Sequence, residues 1–437
     1  MRISPIYRLA IYVTLILIWF LLFVLGINPP ASLCLATLVL SALLFEGTQV
    51  LLKIQFSDTL QFVLLIYIMG LVLRVLFALG ITRYFEFSYN DLLGRDPQDE
   101  LGYYRNSLEI AKGRWSQVKL NSDAGASFYY GLLAWIAGGN IYLMKVLNAV
   151  VAAFIPIQTY FLAIKMSDQR VAKGAAYISV FFPLYLVHMG FLFKESVMLV
   201  LLLLALNSLY RIKGNTWFLG LVILLTSISL TFFFRTLIAI SLLIISGLWF
   251  YLRRPNLRLF IMLSGVLFSF VLVRFSAVGA EIMNYASLLK AENLGGYLGF
   301  LLQSDGIRLT PILYCQFLLL SLIGPLPSLI DSPSDYISLL APYRYLKVMM
   351  SPLIYYGLFL FVKDKKSNLI VVVYVFLNFL GIWFAGFFLV DIFQFIFYPI
   401  FISAFMRALV EFNVFSKKYL IYVFCSLFLV IYWNAFV

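Results

Sequence analysis

Residues 181–210 read FFPLYLVHMGFLFKESVMLVLLLLALNSLY, two long apolar runs with only Lys194 and Glu195 between them. No loop of ordinary length separates the runs, so the chain turns back at once on a pair of opposite charges. In water such runs would have to be buried on every side. In a bilayer, where a helix needs about 20 apolar residues to cross, they read as two adjacent spans with a charged hairpin at one surface.

The rest of the 437 residues extends that reading, because 63% are hydrophobic and only 12% charged, with a mean hydropathy of +1.00. A soluble core cannot absorb that proportion of apolar side chains. Spans are expected near 8–26, 31–52, 58–82, 140–164, 171–192, 195–211, 215–233, 235–252, 257–275, 346–363, 368–390, 392–411 and 418–436, about 13 crossings in all. The fold class is therefore an all-α polytopic transmembrane helical bundle, one integral-membrane domain over 1–437. Met1–Pro30 has an apolar run too long for a cleaved signal and is expected to remain as the first span. Leu309–Ile330 is apolar but broken by Gly324-Pro325-Leu326-Pro327, and it reads as a re-entrant segment rather than a crossing.

Formal charge is +13, an excess that in a soluble chain would suggest nucleic acid. Here Lys53, Lys165, Arg170, Lys173, Arg211, Lys213, Arg253, Arg254, Arg258, Lys363 to Lys366, Arg407, Lys417 and Lys418 fall in short connections on one side of the predicted spans. That pattern is topogenic and marks the cytoplasmic face of a cell (inner) membrane, where anionic lipid is the neighbour. No nucleic-acid partner is expected. Sidedness then puts the N-terminus in the cytoplasm and three loops outside: residues 83–126, a second region over 276–347 that includes the re-entrant segment, and the Lys194-Glu195 hairpin. Ser127–Gly138 is too short to span and is expected to lie in the interface.

The external loop carries NDLLGRDPQDELGYYRNSLEIAKG at residues 90–113, the longest densely charged run. Asp91, Asp96, Asp99, Glu100 and Glu109 beside a membrane either solvate the loop or serve a site. Lys194 and Arg235 interrupt apolar runs in the same compartment, and ionisable groups held that close to hydrocarbon are costly unless they pair or face a polar cavity. The other account of both is that they snorkel to lipid phosphates. One cavity collecting these groups would suit an anionic headgroup held by cations, with a carboxylate base nearby. Cys34, Cys315 and Cys425 stand alone, and His188 lies in an apolar run. Neither a disulfide framework nor a His-based metal site is expected. No cofactor is required, although Asp96, Asp99 and Glu100 leave room for a divalent cation.

The order Asp99, Glu100, Tyr103, Ser107, Gly113, then SFYYGLLAWIAGGNIYLMKVLNAVVAAFIPIQTYFL, resembles the first external loop and following helix of the GT-C superfamily of polyprenyl-phosphate-sugar-dependent membrane glycosyltransferases. The Pro183-to-Glu195 hairpin, the RTL at 235–237 and LIGPLP at 322–327 resemble later elements of that superfamily. The resemblance implies sugar transfer from a polyprenyl-phosphate-linked donor to a glycan or glycolipid acceptor at the external, periplasmic face. It implies Asp99 as general base among the candidate catalytic carboxylates Asp99, Glu100 and Asp96, and Lys194, Arg235 and Arg105 (or Arg95) as phosphate-binding residues. Glu195, with Glu100, would orient these cations, and Tyr103 and Tyr104 would stack on sugars or join an interfacial aromatic belt with Trp115, Tyr129 and Tyr130. Two departures stand out: the acidic loop follows the third span instead of the first, and Asp391 and Gln394 occupy a helix where relatives carry arginine. A polysaccharide polymerase or ligase shares the topology, and a lipid or polysaccharide transporter is the reading that Arg74 and Arg274 favour.

Overall fold

The computed structural model describes residues 59–93, 98–115, 124–212, 217–253, 335–365, 368–384, 395–411, 421–422 and 425. The described residues are 91% helical and contain no strand. In chain order the helices are α1 (Thr59–Tyr89), α2 (Gln98–Ala111), α3 (Ala124–Ala137), α4 (Ile141–Ala152), α5 (Phe154–Met166), α6 (Gln169–Phe181), α7 (Pro183–Met189) and α8 (Glu195–Arg211). There follow α9 (Trp217–Phe234), α10 (Thr236–Arg253), α11 (Asp335–Asp364), α12 (Leu369–Phe384) and, after a 3₁₀ turn at Phe395–Phe397, α13 (Tyr398–Glu411).

Four stretches are long and apolar enough to cross a membrane: Thr59–Tyr89, the α4–α5 pair Ile141–Met166, Trp217–Phe234 and Pro342–Asp364. A fifth is gained if α6 and α7, bent by 45° at their junction, are one broken span. Among the described residues the expected crossings at 58–82, 140–164, 215–233 and 346–363 are thus matched, and that at 171–192 if the bent pair is one span. The remaining expected crossings there fall on helices of 14 to 18 residues, such as α8, α10, α12 and α13. Expected spans at 8–26, 31–52, 257–275 and 418–436, and the re-entrant segment, lie wholly or almost wholly outside the described residues.

Local chemistry sets the breaks. Asn90, at φ 52°, ends α1 in the left-handed conformation that asparagine tolerates, its N–H returning to the Glu86 carbonyl. Gly113, at φ 74°, closes α2 with the double bond of a Schellman motif: its N–H donates to Ile110 O and that of Arg114 to Glu109 O. The expected external loop from 83 therefore begins at 90, because α1 runs seven residues further than its apolar content suggests. α3 covers the segment Ser127–Ala137 of the stretch expected to lie in the interface.

The α6–α7 bend has a specific cause. Pro183 has no N–H, so the carbonyl of Ser179, four residues earlier, loses its helical partner. Arg74, fully buried in the middle of α1, supplies the replacement: its Nη2 donates to Ser179 O at 3.1 Å, Nη1 to Gly70 O at 3.1 Å, and Nε to the Met189 sulfur at 3.0 Å. The guanidinium thereby sits at the C-terminal end of α6, where the helix dipole favours a cation. No carboxylate pairs with Arg74 among the described residues. Elsewhere α11 and α13 cross so closely at Gly357 that any Cβ would meet the Ala404 carbonyl.

Basic side chains gather at one end of the bundle. Lys365 Nζ donates to Lys165 O at 3.0 Å and to Ser167 O at 3.3 Å, Lys165 Nζ donates to Asn207 O at 2.9 Å, and Arg407 forks onto Asp364 at 2.7 and 3.2 Å. Arg211 ends α8 beside this group, whereas Glu195 opens α8 at the opposite end. In detergent, Arg74→Met should lower the thermal midpoint, since a buried carbonyl without a donor costs about 1–3 kcal/mol. The drop should be smaller in a Pro183→Ala background, where position 183 regains its own N–H. Equal drops in both backgrounds would show that Arg74 does not serve the proline break.

Candidate functional site

α2 buries one face at helical spacing, Glu100, Tyr103, Ser107 and Ile110, and turns Gly102 and Arg105 outward. That face packs on α3, where Tyr103 stacks on Tyr130 at 6.2 Å and Asn106 Nδ2 donates to Ser127 Oγ at 3.2 Å. Gly131 of α3 lies where a Cβ would strike the Ile110 side chain, so the two helices are in backbone-close contact. Tyr104, half-buried, donates from its hydroxyl to Gly139 O at 3.2 Å.

The turn between α7 and α8 closes over the same face. Glu100 Oε1 accepts the Leu192 N–H at 3.0 Å and lies 3.0 Å from Lys145 Nζ of α4, both side chains being fully buried. The ammonium is at ion-pair distance yet off the line of a hydrogen bond, and it has no hydrogen-bond acceptor among the described residues. It also stands 5.6 Å over the Phe191 ring. Lys194, nearly fully buried, holds its Nζ 5.9 Å over the Tyr103 ring. Glu195 is buried beside it, in the first turn of α8, where a carboxylate suits the helix dipole.

Tyr130 ties α3 to the turn through its hydroxyl, which donates to Phe193 O at 2.7 Å. Burial first, then the neighbouring Tyr129, Glu195, Tyr103 and Glu100, push this hydroxyl well above its ordinary range, so it stays protonated. One turn along α4 from Lys145, Asn148 accepts from Tyr129 at 3.1 Å and donates to Ser196 Oγ at 3.4 Å. Arg235, half-buried, occupies the break between α9 and α10. Its neighbour Phe234 touches Tyr129 at 6.4 Å, and a Cβ on Gly125 would lie 2.7 Å from the Phe233 backbone, so the α9–α10 break reaches the same end of the bundle.

The sequence-derived set is therefore brought together in part. Glu100, Tyr103, Lys194 and Glu195 meet, and Arg235 approaches. Arg105 points away on the exposed face of α2, and Tyr104 is occupied with Gly139. Asp96 lies outside the described residues, as does Arg95; Asp99 is placed by its backbone only, in the first turn of α2. Asp91 is engaged locally, its Oδ1 accepting the Leu93 N–H at 3.0 Å, and Glu109 pairs with Arg114 at 3.7 Å and Lys112 at 4.0 Å. His188 is a packed histidine, stacked on Phe395 at 5.1 Å. No group of three metal-ligating side chains converges among the described residues.

Sequence reasoning missed Lys145 and Asn148. The signal was a lysine inside the apolar window YLMKVLNAVVAAF with an asparagine three residues on, the spacing that puts both on one helix face. The described residues form helices and no strand, with several helices apolar enough to cross a membrane, a character consistent with a membrane protein. No family model, no curated protein and no solved structure matches it.

Lys145→Ala leaves the Glu100 carboxylate buried without its cation and should cost about 3–5 kcal/mol of stability. Arg105→Ala, on the exposed face of the same helix, should change stability by no more than about 0.5 kcal/mol. Thermal unfolding of both variants in one detergent measures the contrast, and similar values would mean that the pair contributes nothing.

Proposed function

We propose that this chain is an integral membrane glycosyltransferase that moves a sugar from a polyprenyl-phosphate donor to a glycan or glycolipid acceptor at the external face. One observation carries the reading: charged residues from α2, α4 and the α7–α8 turn, far apart in sequence, converge at the end of the bundle opposite the basic connections. Basic connections favour the cytoplasmic side, so the charged cluster falls outside, where a lipid-linked donor would present its phosphate.

In the proposed step a carboxylate of Asp99 takes the proton of the acceptor hydroxyl. The hydroxyl oxygen forms a bond to the anomeric carbon, and the bond from that carbon to the phosphate oxygen breaks. The polyprenyl phosphate leaves with the electron pair, its charge held by Lys194 and Arg235. Glu100 is assigned to holding α2 instead of to proton transfer, because it is buried with its Oε1 engaged by Lys145 and the Leu192 N–H. Arg105 is dropped from the phosphate set because it faces outward.

A polymerase or ligase using a lipid-pyrophosphate-linked glycan is the second reading, favoured by a second buried lysine, Lys145, close to the same face of α2. Arg74, which favours a transporter, is committed to the Pro183 break. Purified protein incubated with polyprenyl-monophosphate sugars and, separately, with pyrophosphate-linked oligosaccharides distinguishes the first two. Donor-dependent transfer from the monophosphate panel is expected, and Asp99→Asn should reduce it by about 10²–10⁴-fold. Turnover confined to the pyrophosphate donor would favour the second reading.

Sidedness has its own test. In intact cells an impermeant thiol reagent should label Arg105→Cys from outside and leave Lys365→Cys protected, both positions being exposed at opposite ends of the bundle. The reverse pattern would place the cluster in the cytoplasm and exclude an external reaction.

A further inference from the structure

Lys145 lies on none of the segments that bear the proposed reaction, yet it touches what holds two of them, α2 and the α7–α8 turn, together. Three elements meet at a single oxygen: α2 provides Glu100 Oε1, the α7–α8 turn brings the Leu192 N–H to 3.0 Å, and α4 brings the Lys145 ammonium to 3.0 Å. On the same face of α4, three residues on, Asn148 bonds Tyr129 of α3 and Ser196 of α8. One helix face thus grips the α2–α3 pair on one side and the turn entering α8 on the other. We propose that Lys145 is a positioning residue, which through Glu100 sets the rotation and depth of α2 and hence the place of position 99 relative to Lys194.

The energetics separate this role from plain stabilisation. Burying two charges costs several kcal/mol per ion before their attraction is counted, and apolar pairs of similar volume commonly match or exceed such an ion pair in stability. Here the pair is further weakened by an ammonium off the hydrogen-bonding line. What two methionines could not reproduce is direction: a carboxylate oxygen that must meet one backbone N–H and one ammonium fixes both the angle and the height of its helix. Position 99 precedes Glu100 in the first turn of α2, with Cα atoms about 3.8 Å apart, so any rotation at Glu100 is passed to it directly. A misplacement of about 1 Å at a reacting group can cost on the order of 10²-fold in rate.

This inference rests on the transfer reading, and two paired replacements test it. Glu100→Met with Lys145→Met should fold, with a thermal midpoint above that of Lys145→Ala although the Leu192 N–H loses its acceptor, and a donor KM within about threefold, while kcat falls by about 10–10²-fold. Glu100→Gln with Lys145→Gln keeps an acceptor for Leu192 N–H and a polar link to α4, and should restore most of the wild-type kcat. The rate at which an impermeant maleimide alkylates the thiol of Asp99→Cys gives a readout free of activity. It should change severalfold in the methionine background and return toward the wild-type background in the glutamine one.

Full kcat and unaltered alkylation in the methionine pair would reduce the ion pair to packing and overturn the proposal. Loss of transfer in the glutamine pair, with alkylation as in the wild-type background, would overturn it as well, by making Glu100 a chemical participant. If the wild-type chain transfers nothing from any donor, the glycosyltransferase reading fails, and the alkylation rates still decide whether Lys145 positions α2.

Discussion

The meeting of Lys145 and the Leu192 N–H on one carboxylate oxygen of Glu100 is the contact on which the rest of this end of the bundle depends. A carboxylate is buried only when it finds a donor or a countercharge, and here the N–H donor and the countercharge come from two elements that are not neighbours of α2 in sequence. Satisfying it forces α4 and the α7–α8 turn to the same face of α2. Lys194 and Glu195 follow, because they continue the turn that Leu192 anchors. Tyr103 then has the Lys194 ammonium over its ring and Tyr130 stacked on it, and the Tyr130 hydroxyl returns to the turn at Phe193.

A second polar solution operates inside the span. Proline at 183 breaks a helix in surroundings without water, and the freed carbonyl of Ser179 needs a donor from protein. Arg74 provides it from α1, where a single long side chain reaches three acceptors and places its charge at a helix C-terminus. The two arrangements are connected through α7, which is seven residues long. The turn carrying Leu192 to Lys194 starts one residue after Met189, so the angle that Arg74 maintains at the Pro183 break also aims the turn at Glu100. The bend and the charged cluster are successive parts of one path.

Outward from these contacts the packing is the ordinary work of apolar helices. Trp135, Phe218, Phe233 and Phe376 expose large rings, as side chains meant for hydrocarbon do. Small residues mark the closest crossings, with Gly357 against Ala404 and Gly125 against Phe233. Such crossings replace, inside a bilayer, the hydrophobic drive that operates in water, since lipid is as apolar as leucine and close van der Waals contact has to hold the helices together.

The amino-acid sequence by itself determined the class of this protein and the location of its charge. A composition with so few ionisable residues leaves helices as the only way to satisfy backbone groups in an apolar surrounding, and the runs around Lys194-Glu195 put a turn at that point. Glu100, Lys194 and Glu195 stood out for the same reason, as charges beside apolar runs, whereas Tyr103 was singled out only through the resemblance. Only the tertiary structure decided which of them meet. α2 has two faces, and periodicity alone did not tell that Glu100 turns in while Arg105 turns out. Lys145 was hidden because its cost is paid by a partner 45 residues away in the chain, and the role of Arg74, though not its presence, was hidden because the Ser179 carbonyl it serves is freed by Pro183 on another helix. Hydropathy records what each residue prefers, whereas pairing depends on which distant atom is within 3 Å, and that is a property of the folded chain alone.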